Sequence, residues 1–169
     1  MKLHIGGVEA KEGWKILNIQ KNKDVDFIGN ISDLGQFENE SIEKIYASHV
    51  LEHVEQREVL KTLKGVYRVL KKNGEFYISV PDLDILCKAF IHSNLTLEQR
   101  ILMMRIIFGG QVDKYDFHYF GWNQEIMLHF LKLAGFKTFK RVESFNLFND
   151  TSDYKPLGFP VSLNVIVTK

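Results

Sequence analysis

The spacing of apolar residues changes period along this chain, and the changes divide it into short strands and helices. Leu3 to Ile5 is an apolar run ended by Gly6-Gly7, and Lys15 to Ile19 is a second run with β-branched residues; both predict strands. Val25 to Ile28 and Glu43 to Ala47 predict two more, separated by the acidic and polar stretch Asp33 to Ser41. From Glu55 to Lys72 the period becomes helical, with Val59, Leu60, Leu63, Val66, Val69 and Leu70 on one face. Arg68, Lys71 and Lys72 crowd the predicted last turn, and Asn73-Gly74 suits a left-handed cap. Glu75 to Val80 is aromatic and β-branched and predicts a strand stopped by Pro81, so helix, turn and strand form an αβ unit of a parallel sheet.

Asp82 to Ile91 and Thr96 to Phe108 predict two helices, the second opened by a Thr96-x-x-Gln99 capping box and closed by Gly109-Gly110. Together with the segment that follows they form a helical insertion, or lid, over about 82–122. Asn123 to Leu133 predicts a last helix with Asn123 as its N-cap and Ala134-Gly135 at its end. Thr138 to Phe145 and Val161 to Thr168 predict two long strands, so the chain finishes as a hairpin. The connection from Asn146 to Pro160 is long for a hairpin and is a candidate functional loop.

Composition narrows the classes. The 169 residues predict one domain, spanning 1–169, and 45% hydrophobic with 25% charged residues excludes collagen-like, disordered and coiled-coil proteins. Lys plus Arg number 22 and Asp plus Glu 21, and a net charge of +1 argues against a bulk nucleic-acid binder. No apolar run approaches the roughly 20 residues that span a bilayer, so no membrane partner is expected. The single cysteine, Cys87, allows no intrachain disulfide and is expected to be an inert core residue; with no signal-peptide pattern at the start, the cytoplasm is the expected compartment.

Four segments carry the candidate chemistry: Lys2-Leu3-His4-Ile5-Gly6-Gly7, Ala47-Ser48-His49-Val50-Leu51-Glu52-His53, Arg68-Val69-Leu70-Lys71-Lys72-Asn73-Gly74 and Val80-Pro81-Asp82. In this order they resemble the class I S-adenosylmethionine-dependent methyltransferases, and more narrowly the small bacterial predicted methyltransferases of the type 11-like group. Leu147-Phe148-Asn149-Asp150-Thr151-Ser152 and Val161-Ser162-Leu163-Asn164-Val165 extend the likeness over nearly the whole chain. The resemblance implies an α/β fold, a Rossmann-like doubly wound, mostly parallel sheet with an antiparallel C-terminal hairpin in a three-layer αβα sandwich. It also implies S-adenosylmethionine as cofactor, lying across the carboxyl ends of the first strands. A small-molecule or glycan precursor is the implied substrate.

Ligands of open α/β sheets sit beyond the strand carboxyl ends, where Gly6, Gly7, Asn18, Asn30, Ile31, Ser48 and His49 fall; these are the candidate cofactor-binding residues. His49 and His53 are the catalytic candidates, because the strand ending at Ala47 delivers them to that edge. His118 and Tyr119 could act on substrate from a lid. His4, inside a strand, reads as structural. Glu52 and His53 could equally cap the long helix, and Asp150-Thr151-Ser152 reads either as a substrate contact or as a capped polar turn.

The pattern departs from the family in three places. The glycine-rich opening is reduced to Gly6-Gly7, and Asn18 and Asn30 stand where acidic residues are expected to grip the cofactor's ribose and adenine. Asparagine lacks the charge, a loss on the order of 1 kcal/mol per hydrogen bond. Glu9, Glu12 or Asp33 could replace it. Only seven residues, Val8 to Trp14, connect the first two strands, so the usual first helix is expected to be missing or one turn long, which argues against NAD or a nucleoside triphosphate. His49, His53 and His118 with Asp116 match no compact ligand spacing, and no metal is expected. The alternative to an enzyme is a non-catalytic domain of the same fold. Phe108, Phe117, Tyr119, Phe120 and Trp122 suit a lid, a small core or a homodimer interface.

Overall fold

The computed structural model describes residues 1–169. Seven strands form one sheet in the order β3-β2-β1-β4-β5-β7-β6. They are β1 (Lys2–Ile5), β2 (Trp14–Asn18), β3 (Phe27–Ile28), β4 (Ile42–Ser48), β5 (Leu70–Pro81), β6 (Lys140–Val142) and β7 (Ser162–Thr168). The first five run parallel, and β7 lies antiparallel between β5 and β6, from Glu75 opposite Thr168 to Pro81 opposite Ser162. The helices are α1 (Val59–Val69), α2 (Leu83–Phe90), α3 (Leu97–Phe108) and α4 (Gln124–Ala134). The doubly wound α/β sheet with its antiparallel C-terminal hairpin is therefore present.

The period-2 alternation of the strands divides the two faces. Leu3, Ile5, Ile45, Ala47, Phe76, Ile78, Val80, Leu163, Val165 and Val167 point to one side, where α1 and α4 bury Val59, Leu63, Val66, Val69, Met127 and Leu131 against them. On the other side stand His4, Trp14, Tyr46 and Tyr77. Their cover is aromatic: Phe148 packs on His4, Trp14 and Tyr46 at 4.1, 5.3 and 4.6 Å between ring centroids, and Phe145 on Tyr46 and Tyr77 at 5.5 and 5.7 Å. The long connection from Asn146 thus takes the place that a β1–β2 crossover helix would fill, and the chain between Gly7 and Gly13 holds no helix. The Lys11 ammonium binds the Leu147 carbonyl and ties the two loops together.

Five local expectations are corrected. The long helix stops at Val69, before Lys71 and Lys72, because Leu70 turns into extended backbone, buries its side chain and pairs with Ile42. Asn73 is left-handed (φ 63°), but it turns the chain inside β5 and does not cap α1. The strand expected over Thr138 to Phe145 survives only as β6, since Thr138 spends its hydroxyl on the Thr168 amide and Phe145 leaves the edge to cover Tyr46. β3 is likewise only two residues long. Cys87 is exposed, because α2 turns Leu86 inward and leaves its neighbour outside.

α2 and α3 follow β5 and make a small core of their own around Leu86, Met103 and Val161. Asp82 caps α2 and receives Arg141 at 2.8 Å, and Thr96 and Gln99 form the predicted capping box on α3. The expected aromatic group divides. Phe120 and Trp122 pack with Phe130 in or against the main core, whereas Phe117 and Tyr119 stack on one another at the surface.

Candidate functional site

A cavity of about 270 Å³ opens at the carboxyl ends of the parallel strands. β1 supplies Ile5 and Gly6 to it, β2 supplies Leu17 and Asn18, and the chain after β3 supplies Gly29, Asn30 and Ile31. His49, Val50 and His53 close it from the end of β4, and Lys114, Tyr115 and Tyr119 lie over it from the segment after α3. Gly6 is required where it stands. Its φ is +80°, and a Cβ there would lie 2.8 Å from the Val50 side chain.

Asn18 is committed to the local backbone. Its amide nitrogen donates to the Gly7 carbonyl at 2.9 Å, and its oxygen accepts from the Gln20 amide at 2.9 Å. This brace holds the helix-free loop after β1 against the end of β2. Asn30 accepts only from the Ser32 amide, at 3.2 Å, and its own NH2 group makes no bond within the chain.

The end of β4 carries His49, held on both sides. His49 sits at φ 53°, a left-handed conformation uncommon outside glycine, though histidine is among the side chains that adopt it more readily. Its backbone amide donates to the Ser79 carbonyl at 2.9 Å, and its Nε2 lies 3.0 Å from the Ser162 hydroxyl. Ser162 gives its only proton to the Thr151 carbonyl, so it accepts from His49 Nε2–H. In the neutral ring Nδ1 then carries the lone pair, and it lies 3.2 Å from Glu52 Oε1.

Glu52 is 1% exposed, and neither carboxylate oxygen has a hydrogen-bond partner. It belongs to a short turn, Leu51 to His53, well ahead of α1, so it does not cap that helix. Its backbone carbonyl accepts from Tyr119 and Phe120 at 2.8 and 3.1 Å, which anchors the segment after α3 to the end of β4. The same anchoring sets His118 beside His53, ring centroids 4.8 Å apart. His53 Nδ1 lies 3.0 Å from the Phe117 carbonyl, an acceptor, so Nδ1 carries hydrogen and the neutral ring keeps its lone pair on Nε2. Burial by itself would raise the Glu52 carboxyl, but His49, His53 and His118 outweigh it and hold the group below the usual carboxylate range. Burial pushes His118 below its ordinary value, against the pull of Glu52.

Of the residues expected at the ligand edge, Gly6, Asn18, Asn30, Ile31, His49, His53 and Tyr119 line the cavity. Gly7, Ser48 and His118 do not. Gly7 lies against the His4 ring, Ser48 donates to Asp150 at 3.2 Å on the other face, and His118 stands behind Tyr119 with a buried, unpartnered Nδ1. Glu9, Glu12 and Asp33 are also outside the lining, and Asp33 accepts from the Gly35 amide. Asp150 caps the turn Thr151 to Asp153, so this segment takes its plain structural form. Gln20 and Lys114 also line the cavity, and no local motif in the sequence marks them.

A family model described as a methyltransferase domain matches residues 5–78, from the last residue of β1 into β5, which carry most of the cavity wall. That match covers 74 of the 169 residues, and over its whole length the chain shares the fold of S-adenosylmethionine-dependent methyltransferases of known structure. Among solved structures, a SAM-dependent methyltransferase from Archaeoglobus fulgidus is 15% identical with a TM-score of 0.62, the match covering 99% of this chain and 85% of that one. One from Methanosarcina mazei is 16% identical with a TM-score of 0.58, covering 99% and 91%. The Burkholderia thailandensis 1,6-didemethyltoxoflavin-N1-methyltransferase, solved with 1,6-didemethyltoxoflavin and S-adenosylhomocysteine, is 13% identical with a TM-score of 0.60, covering 99% and 70%. At these identities the likeness is one of fold. No curated protein sequence matches the chain. Here the cavity lies at the carboxyl ends of the strands, and S-adenosylmethionine is the cofactor of the methyltransferases of known structure that share this fold. No helix is long and apolar enough to cross a membrane.

Proposed function

We propose that this chain binds S-adenosylmethionine and transfers its methyl group to a small-molecule acceptor, a glycan precursor being the class that the sequence resemblance implies. The observation behind the reading is the cavity at the ends of β1, β2, β3 and β4, lined by strand-end residues and covered by 114–119.

The residues present suit the cofactor's adenosyl half. Ile5, Leu17, Ile31 and Val50 give an apolar wall, the backbone at Gly6 is open for close approach, and Asn30 and Gln20 hold uncommitted amides. Gly6, Gln20, Asn30 and Ile31 would hold the group, with Asn18 bracing the loop beside them. When bound, it supplies a sulfonium-activated methyl that is already electrophilic. What remains for the protein is alignment and exclusion of water. Tyr115 and Tyr119 cover the cavity, and His49, fixed by Ser79 and Ser162, is the group placed to hold an acceptor's proton. His53 borders the same space from the turn after β4.

A second reading, a non-catalytic domain of the same fold, is favoured by Asn18, whose amide is already satisfied by Gly7 and Gln20. Thermal-shift and calorimetric titration with S-adenosylmethionine and S-adenosylhomocysteine separates the two, because a ligand of the native state raises its stability. Micromolar binding supports the enzyme and justifies an acceptor screen. A folded sample that shows no response at millimolar ligand overturns it in favour of the non-catalytic domain.

A further inference from the structure

Behind the cavity wall, Glu52, His53 and His118 offer ligand atoms that all lie within 4.8 Å of one another. Glu52 is fully enclosed, and both of its oxygens lack a hydrogen-bond partner. A carboxylate taken out of water without partners costs several kcal/mol, so such groups are usually paired or bound to a metal. The surrounding nitrogens are arranged as acceptors. Neutral His53 keeps its lone pair on Nε2 because Phe117 takes the proton on Nδ1, and His118 Nδ1 is buried and unpartnered. His49 Nδ1 also lies 3.2 Å from Glu52 Oε1, an ion pair when that ring is protonated. The buried carboxylate therefore needs a cation beside it, either a proton on His49 or a metal ion among the three groups. Two ligand atoms each about 2.0–2.2 Å from a metal stand about 3.0–3.5 Å apart, so the three groups, now within 4.8 Å of one another, would draw together by up to about 1.5 Å on binding.

We propose that Glu52, His53 and His118 bind a divalent transition-metal ion at the inner wall of the cavity. Two imidazoles and one carboxylate are the ligand set of zinc sites that keep an open coordination position, and also suit Co2+ or Fe2+, whereas Mg2+ and Ca2+ select oxygen ligands. The hydrogen bond from His53 Nδ1 to Phe117 is the outer contact that fixes such a ligand's tautomer. His53 is then a ligand and not a base, and the site borders the cavity that His49 also lines. Residues from two segments far apart in sequence compose the site, which is why their spacing resembles no compact motif. The inference rests on these side chains and does not require the cofactor reading.

The test uses the full chain, free of affinity tag, treated with chelator and dialysed against Zn2+, Co2+ or Mg2+. One Zn2+ or Co2+ per chain is expected, with visible d–d absorption for Co2+ and a raised Tm for both. Glu52→Gln and His118→Asn are expected to remain folded by circular dichroism and to bind at least about tenfold more weakly. Should His118→Asn fail to fold, Glu52→Gln, which removes a buried charge and keeps its shape, carries the comparison. A folded wild-type chain that takes up no more Zn2+ or Co2+ than Glu52→Gln would overturn the proposal and leave a proton on His49 as the cation. Equal uptake of Mg2+ would overturn the imidazole assignment. S-adenosylhomocysteine binding is measured separately, so a failed cofactor titration leaves a positive metal result standing, and the reverse.

Discussion

Tyr46 and Asp150 are joined by a 2.8 Å hydrogen bond in which the tyrosine hydroxyl donates to Oδ2, although they lie 104 residues apart. The bond fastens the C-terminal connection to the centre of the sheet. Burial would raise the Asp150 carboxyl, but donation from Ser152, Tyr46 and Ser48 more than offsets it and holds the group below its ordinary value. Tyr46→Phe removes one donor from a half-buried carboxylate and is expected to cost about 1–3 kcal/mol. Urea unfolding of Tyr46→Phe, Asp150→Asn and the double variant measures the coupling, and strict additivity would show that the bond contributes nothing.

Asn18 and Asn30 are expected to respond differently to aspartate. At Asn18 a carboxylate would face the Gly7 carbonyl, to which the amide now donates, so Asn18→Asp is expected to lose roughly 1–2 kcal/mol. At Asn30 only the side-chain oxygen is engaged, by Ser32, and aspartate keeps that contact. Asn30→Asp is expected to melt with the parent and to bind S-adenosylhomocysteine at least as tightly. Paired melting curves and calorimetry check both. An Asn18→Asp chain more stable than wild type would refute the assignment of the brace.

Gly6→Ala is expected to cost about 1–3 kcal/mol and to weaken S-adenosylhomocysteine binding, since the added methyl meets Val50 at 2.8 Å from a backbone at φ +80°. Adding Val50→Ala relieves the collision and leaves the backbone strain. Partial recovery of Tm in Gly6→Ala/Val50→Ala is the expected outcome, and full recovery would assign the whole cost to the collision.

His4 makes the fold sensitive to mild acid. Burial lowers its pKa from the ordinary 6.5 to about 4, with Asp150 opposing the shift and Lys11 adding to it. The unfolded chain takes up this proton first as the pH falls. The stabilisation is therefore complete above about 6.5, is lost between there and about 4, and is level below, a change of roughly 3 kcal/mol at most. His4→Leu removes the titrating ring and is expected to flatten the profile. Urea midpoints at pH 7.5 and pH 5 for both chains test this, and equal acid losses would place the sensitivity elsewhere.

The sequence alone determined whatever rests on local periodicity and local capping. The period-2 runs of β1, β2, β4, β5 and β7, the apolar face of α1, the capping box at Thr96 and the N-cap at Asn123 were legible because each depends on neighbours a few residues away. The motif order also indicated the strand ends where the cavity lies. Tertiary contacts decided the rest. α1 ends at Val69 because Ile42 recruits Leu70, and β6 is short because Phe145 leaves to cover Tyr46. Glu52 reads in sequence as a helix-start carboxylate. It becomes a buried, unpartnered group only when the backbone of Tyr119 and Phe120 docks on it and brings His118 alongside. The charge that a carboxylate needs in its surroundings is set by what packs around it, and that packing joins segments more than sixty residues apart.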